Sequence, residues 1–253
     1  MITNVKEYIE PFVALNKPIP YKSLQIFPIK MNDYYDFMFG YDVINIEKNK
    51  IPNVEIIQMT YLDFMFTNLM KDKNKYNEAM TIGDIWAYKF AVLMEICLNA
   101  KPHEIDVILD NNKINLKIKG EIINAKEFDE IRKIIMFQNI IDYDDTPMSD
   151  DFKKVVEKYY SLKNKNMVMP TIEDKKNVII THTSYKDDEI KDITYRTFEK
   201  MFSSIVGKTD FLVNAIFKSQ GAKEPLEHWI YKNKKEKYAE IFSDAEKFAQ
   251  QFS

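Results

Sequence analysis

Three histidines and one cysteine limit the chemistry that this chain of 253 residues can carry. His103, His182 and His228 stand far apart, and none falls at the spacing of a metal-binding helix. A zinc centre would need carboxylates from distant segments. Thr181, Thr183 and Ser184 set hydroxyls beside His182, but sequence neighbours on a helix point in different directions and make no nucleophile–base pair. Cys97 lies in an apolar helical stretch and reads as a small buried hydrophobe. As the single cysteine it excludes an internal disulfide and a cysteine metal cluster. Gly207-Lys208-Thr209 resembles the end of a phosphate-binding loop, but Phe202 stands where that loop needs its first glycine. Gly207 is instead expected to end one helix and Asp210 to begin the next. The densest carboxylates are Asp142, Asp144 and Asp145, with Asp150 and Asp151 nearby. Read as a calcium loop starting at Asp142, the segment has Pro147 in place of the glycine and Lys153 in place of the glutamate. A solvated loop that favours the start of the next helix is the expectation. No catalytic residue, cofactor or metal ion is expected.

The elements that must position these groups follow from composition and periodicity. Apolar residues make up 45% and charged residues 30%, with a formal charge of -3, an ordinary globular balance. That charge excludes a strongly basic nucleic-acid coat, and no third of the chain departs far from neutrality, so no nucleic-acid partner is expected. Five glycines are too few for a Rossmann or phosphate-loop protein. The chain holds 34 lysines but two arginines, Arg132 and Arg196, so bidentate recognition of anions is rare. No apolar run approaches membrane-spanning length and no leader peptide is evident at Met1, so no membrane partner is expected.

Prolines 11, 18, 20 and 28 make residues 1–31 read as extended, with a short edge strand around Leu24 and Ile26. Asn32 is expected to cap a helix carrying Phe37 and Tyr41 inward, and Ile51-Pro52-Asn53 to open another. Thr81, with Asp84 three residues on, starts a third that ends near Asn99. Alternation at Ile105, Val107 and Leu109, and again at Ile114, Leu116 and Ile118, predicts a β-hairpin or three-stranded meander between Glu104 and Ile123. Helices follow: about 125–140, from Ser149, from Thr171, from Thr194 and from Asp210. The fold class expected is mainly α with a small β-hairpin or meander, multi-helical. It would divide into residues 1–100, mostly helical with a short edge strand, and 101–253, a hairpin followed by a helical bundle.

Three short patterns carry a resemblance. Phe137-Gln138-Asn139 precedes Asp142-Tyr143-Asp144-Asp145. Asp192-Ile193-Thr194-Tyr195-Arg196-Thr197-Phe198 resembles the L-T-x-R-x-F helix start of helical tail-assembly proteins of bacteriophages, with Ile193 in place of the usual leucine. His228-Trp229 lies near the end. With Ile51-Pro52 and the helix after it, the chain resembles phage proteins of low-GC Gram-positive hosts found among tail and baseplate assembly genes. The resemblance implies a non-enzymatic chaperone or structural component acting by protein–protein contacts. Its partners would be other tail or baseplate proteins or further copies of itself. Its place would be the host cytoplasm during assembly, or the virion. The alternative is a phage-encoded protein that binds and inhibits a host factor.

Two local expectations concern side chains. Thr194 or Asp192 can cap the helix after it, which puts Arg196 in the first turn, where a cation opposes the helix dipole. Arg196 is therefore expected to pair with Asp142, Asp144 or Asp145. At the other end, Tyr238, Ile241, Phe242, Ala245, Phe248, Ala249 and Phe252 form an apolar stripe at three- and four-residue steps. Such a stripe needs a cover, either the chain's own core or a neighbouring subunit. Tyr238, Ile241, Phe242, Phe248 and Phe252 are expected to bind a partner.

Overall fold

In the computed structural model the described residues are 5–46, 48, 51, 53–70, 81–110, 113–141, 143, 149–165, 167–221, 226 and 228–230. The fold is mainly α with small antiparallel sheets. The chain divides into two compact units, Met1–Tyr143 with Asp188–Glu199, and Asp144–Asp187 with Lys200–Ser253.

The first unit is built on helices α1 (Val5–Ala14), α2 (Tyr34–Asn45), α3 (Val54–Gln58), α4 (Tyr61–Phe64), α5 (Ile82–Leu98) and α6 (Ala125–Asn139). Residues 1–31 were expected to be extended, and α1 corrects this. Its Pro11 sits inside the helix and removes one backbone donor. Packing on α6 and β1 (Ile19–Tyr21) offsets that loss: Ile9 is buried, Tyr8 and Phe12 pack ring against ring, and the Tyr8 hydroxyl donates to the Pro20 carbonyl at 2.8 Å. Strand β1 pairs with β2 (Leu24–Ile26), the short strand read from the sequence. Both bury alternate residues.

Helix α2 packs along α5. The two backbones approach so closely that a Cβ on Gly40 would stand 2.9 Å from the Lys89 carbonyl oxygen and 3.0 Å from Leu93 Cβ. Helix α5 starts as the sequence indicates, with reciprocal bonds between Thr81 and Asp84, and ends at Asn99 in the left-handed region. Asn32 does not cap α2. A 3₁₀ turn, Met31–Asp33, leads into that helix, and no side chain caps the turn or the helix. The segment after residue 51 is not one helix either. Asn53 caps α3, then Thr60 restarts the chain as α4, which passes into a π turn at Met65–Leu69.

The meander is present where alternation placed it: β3 (Ile105–Asp110), β4 (Lys113–Ile118) and β5 (Glu121–Asn124), in the order β3-β4-β5. Leu116, Ile118 and Ile123 are buried beneath α6, whose Phe128, Ile131, Ile134 and Ile135 complete that side of the core. Val107, Leu109 and Ile122 face outward and are exposed.

The second unit contains α7 (Asp150–Lys163) and α8 (Ile172–His182), both capped at the expected residues, Ser149 and Thr171. After the short α9 (Asp187–Ile190), the 25-residue α10 (Tyr195–Ser219) starts in the first unit and continues into the second. The expected break at Gly207 does not occur. One glycine costs a helix only about 1 kcal/mol, and the apolar spacing continues across it. Thr209 turns its hydroxyl back to the Ile205 carbonyl (2.9 Å) instead of opening a new helix. The helix stops before Gly221, whose φ of +101° lies in the left-handed region.

Because the α2–α5 approach leaves no room for a methyl group, Gly40→Ala should destabilise the protein by about 1–3 kcal/mol. A thermal melt would show this as a lower midpoint with the helical signal unchanged below it.

Candidate functional site

Two of the sequence patterns of the resemblance, Phe137-Gln138-Asn139 and Asp192 to Phe198, come together in the first unit. Residues 191–195 lie antiparallel to 29–32. Met31 N–H donates to the Ile193 carbonyl (2.9 Å), Asn32 N–H to that of Lys191 (3.0 Å), and Tyr195 N–H to that of Ile29 (3.0 Å). Thr194 caps α10 as the sequence allowed, its hydroxyl oxygen accepting from Thr197 N–H (3.2 Å). The hydroxyls of Thr194 and Thr197 both reach Asn16 Oδ1, at 2.9 and 3.1 Å.

The Phe137-Gln138-Asn139 pattern forms the last turn of α6, where carbonyls have no partner within the helix. Asn139 and Gln138 are buried. Asn139 Oδ1 accepts the Ile29 N–H (3.0 Å), and its Nδ2 donates to the Ile135 carbonyl (3.0 Å). Gln138 Nε2 donates to the Ile26 carbonyl at 3.3 Å. Arg196 Nη1 donates to the Phe137 carbonyl at 3.0 Å, placing a cation at the negative end of the α6 dipole. The cation thus meets the carbonyl end of another helix. Asp142, Asp144 and Asp145, the partners expected for Arg196, lie outside the described residues, as do Tyr238, Ile241, Phe242, Phe248 and Phe252.

Arg132 does the same for another helix end. Its Nε donates to the Ile44 carbonyl in the last turn of α2 (2.6 Å), its guanidinium lies over the Tyr61 ring (3.7 Å to the centroid), and Nη1 reaches the Tyr143 hydroxyl (3.4 Å). Lys48 donates to the Met59 carbonyl and also sits over Tyr61. Asp129 accepts the Tyr61 N–H at 3.0 Å. Burial governs the protonation of this cluster: it lowers the Lys48 pKa, raises that of Asp129 against the pull of its cationic neighbours, and pushes the Tyr41 phenol up to about 12.

Between α1, the end of α6 and the start of α10 lies a cavity of about 400 Å³. Ile9, Val13 and Phe137 supply apolar walls, while Glu10, Tyr143 and Arg196 supply polar ones. Two carboxylates, Glu7 and Glu10, and two cations, Lys6 and Arg196, stand around it. Among the described residues no three His, Cys, Asp or Glu side chains are grouped to hold a metal ion. Cys97 is fully buried and its thiol is pushed up by burial. No helix among the described residues is long and apolar enough to cross a membrane.

Sequence reasoning singled out Arg196, Thr194, Gln138 and Asn139 but not Asn16, and it gave the two amides no partners. The amides gave one usable signal: Gln138 and Asn139 close the apolar stretch Ile134-Ile135-Met136-Phe137, where buried polar groups must find partners. Compared with protein-family models, characterised proteins and solved structures, the chain matches none.

Two outcomes test this geometry. Asn139→Ala leaves the Ile29 N–H buried without its acceptor and should cost about 1–3 kcal/mol. Chemical denaturation would show a lower midpoint at unchanged slope. Tyr41 has its folded pKa raised above the ordinary 10.0. The stability it contributes is therefore full below that value and lost as pH rises through about 12. Tyr41→Phe should make the alkaline fall of the denaturation midpoint shallower than in the wild type.

Proposed function

We propose that this chain is a non-enzymatic bacteriophage protein of tail or baseplate assembly, a chaperone or structural component that works through protein–protein contacts in the host cytoplasm and in the assembling particle. The observation that carries the reading is the meeting of the two resemblance patterns. Residues 192–198 and 137–139, far apart in sequence, interlock through Arg196, Asn139 and Ile29. A family signature shared by such proteins would be kept for this kind of joint. The second unit supports a role in contacts: α7 and the segment after it expose Val155, Leu162, Met167, Val168 and Met169, with Val168 97% exposed. Runs of exposed apolar side chains of this kind mark protein interaction sites, and methionine adapts readily to a partner surface.

Affinity capture of the tagged chain from a lytic infection, followed by mass spectrometry, tests the reading. Tail or baseplate proteins encoded by the same phage should dominate the captured set. Capture of a single host protein with no phage tail component would instead favour the inhibitor of a host factor.

A further inference from the structure

The two edges of the meander differ. The turn between β1 and β2 reaches the β5 edge: Lys22 Nζ donates to the Ile122 carbonyl (3.1 Å), and the Ser23 hydroxyl donates to the Glu121 carboxylate. Among the described residues β3 pairs with β4 alone. Its six residues run in continuous register from Ile105 opposite Ile118 to Asp110 opposite Lys113, with no bulge, proline or lysine to blunt the outer edge. One bond sets the direction of the backbone groups. Lys119 N–H donates to the Glu104 carbonyl at 2.9 Å. Antiparallel pairs alternate between bonded and non-bonded, so Asp106, Ile108 and Asp110 turn their N–H and C=O groups toward β4. Those of Ile105, Val107 and Leu109 turn away from it. The Ile105 N–H is taken by the Pro102 carbonyl. That leaves the N–H groups of Val107 and Leu109, and the carbonyls of all three, at the open edge.

The side chains along β3 define which strand fits there. Val107 and Leu109 are 48% and 75% exposed, and Asp106 and Asp110 are exposed. On its inner side β3 already receives a strand of one pattern. Lys113, Ile114, Asn115, Leu116 and Lys117 stand opposite Asp110, Leu109, Ile108, Val107 and Asp106. Lysine thus meets aspartate at both ends, and apolar side chains meet between them. A strand presents the same side chains to the neighbours on both of its edges. Among the described residues neither aspartate is held in an ion pair, so both remain for a second strand.

We propose that the open edge of β3 binds an extended segment of another protein with the pattern lysine–apolar–any–apolar–lysine, added as a further antiparallel strand. The main chain of Ile105, Val107 and Leu109 supplies the hydrogen bonds, and the side chains of Asp106, Val107, Leu109 and Asp110 select the sequence. A second copy of this chain fits the edge less well. Two β3 strands overlap most fully when centred on Val107 or on Ile108. The first register sets Glu104 against Asp110 and the second sets Asp106 against Asp110, and like charges directly opposite are destabilising. The inference does not rest on the tail-assembly reading. Its test uses the purified chain and a peptide, whereas capture of tail proteins bears only on that reading, so either can fail alone.

The probe is a synthetic peptide with the sequence of residues 112–118, blocked at both ends. Titrated into the full chain it should bind saturably, and the same peptide with glutamate at both lysine positions should bind roughly tenfold more weakly or worse. Asp106→Lys with Asp110→Lys should reverse that order. Val107→Pro removes an outward N–H without cutting the β4 ladder, and it should abolish binding. Hydrogen exchange on the wild-type chain decides if a variant fails to fold: bound peptide should slow exchange at Val107 and Leu109 and leave Ile108 as it was. No saturable binding, equal binding of the two peptides, or protection that misses Val107 and Leu109 would overturn the proposal. Self-association that Val107→Pro abolishes would overturn it too, because the edge would then belong to a second copy.

Discussion

Every α-helix ends with carbonyl groups that its own turns cannot satisfy, and in α2, α5 and α6 some of those groups are met by residues far away in sequence. Ile44 at the end of α2 accepts from Arg132, and Phe137 at the end of α6 accepts from Arg196. At the end of α5, Cys97 accepts from the Phe27 N–H (2.8 Å) and Leu98 from Lys119 Nζ (3.1 Å). A buried carbonyl left without a donor costs about 1–3 kcal/mol, so each junction ties the position of a helix to a distant segment. The chain's two arginines are both used in this way. A guanidinium suits the task because its planar donors can serve a carbonyl while the same group stacks on a ring, as Arg132 does on Tyr61.

These junctions explain how residues 188–199 belong to a unit whose other members end at Tyr143. The returning segment has little apolar bulk of its own, with Ile190 and Phe198 its fully buried side chains. It is held instead by pairing with 29–32, by the Asn16 clamp on Thr194 and Thr197, and by Arg196. Because α10 starts in this joint, its first turn is fixed before it continues into the second unit. The joint and the cavity beside it share Phe137 and Arg196, so a ligand or partner in that cavity would bear directly on the same hydrogen bonds.

The two units differ in how apolar surface is used. In the first, α2, α5, α6 and the meander bury it in one continuous core. In the second, α7 and α10 leave much of it exposed along their length.

Local physics by itself determined several of the elements. Alternation at 105–118 could only be strand, and the pairs Thr81–Asp84 and Thr171–Asp174 fixed helix starts because a hydroxyl and a carboxylate three residues apart satisfy each other's backbone donors. Asn99 and Ser149 marked boundaries for equally local reasons. Where sequence and structure part, the deciding energy came from elsewhere in the chain. Pro11 reads as a breaker, yet α1 forms because packing on α6 outweighs one lost bond. Gly207 reads as a stop, yet both sides of α10 have apolar neighbours or spacing that carry the helix through. The grouping into units was decided by tertiary structure alone, since the meander sits in the same unit as the helices before residue 100 and 188–199 join them. No local pattern announces that Arg196 will find the Phe137 carbonyl, because nothing in either segment encodes the distance between them until the core has brought them together.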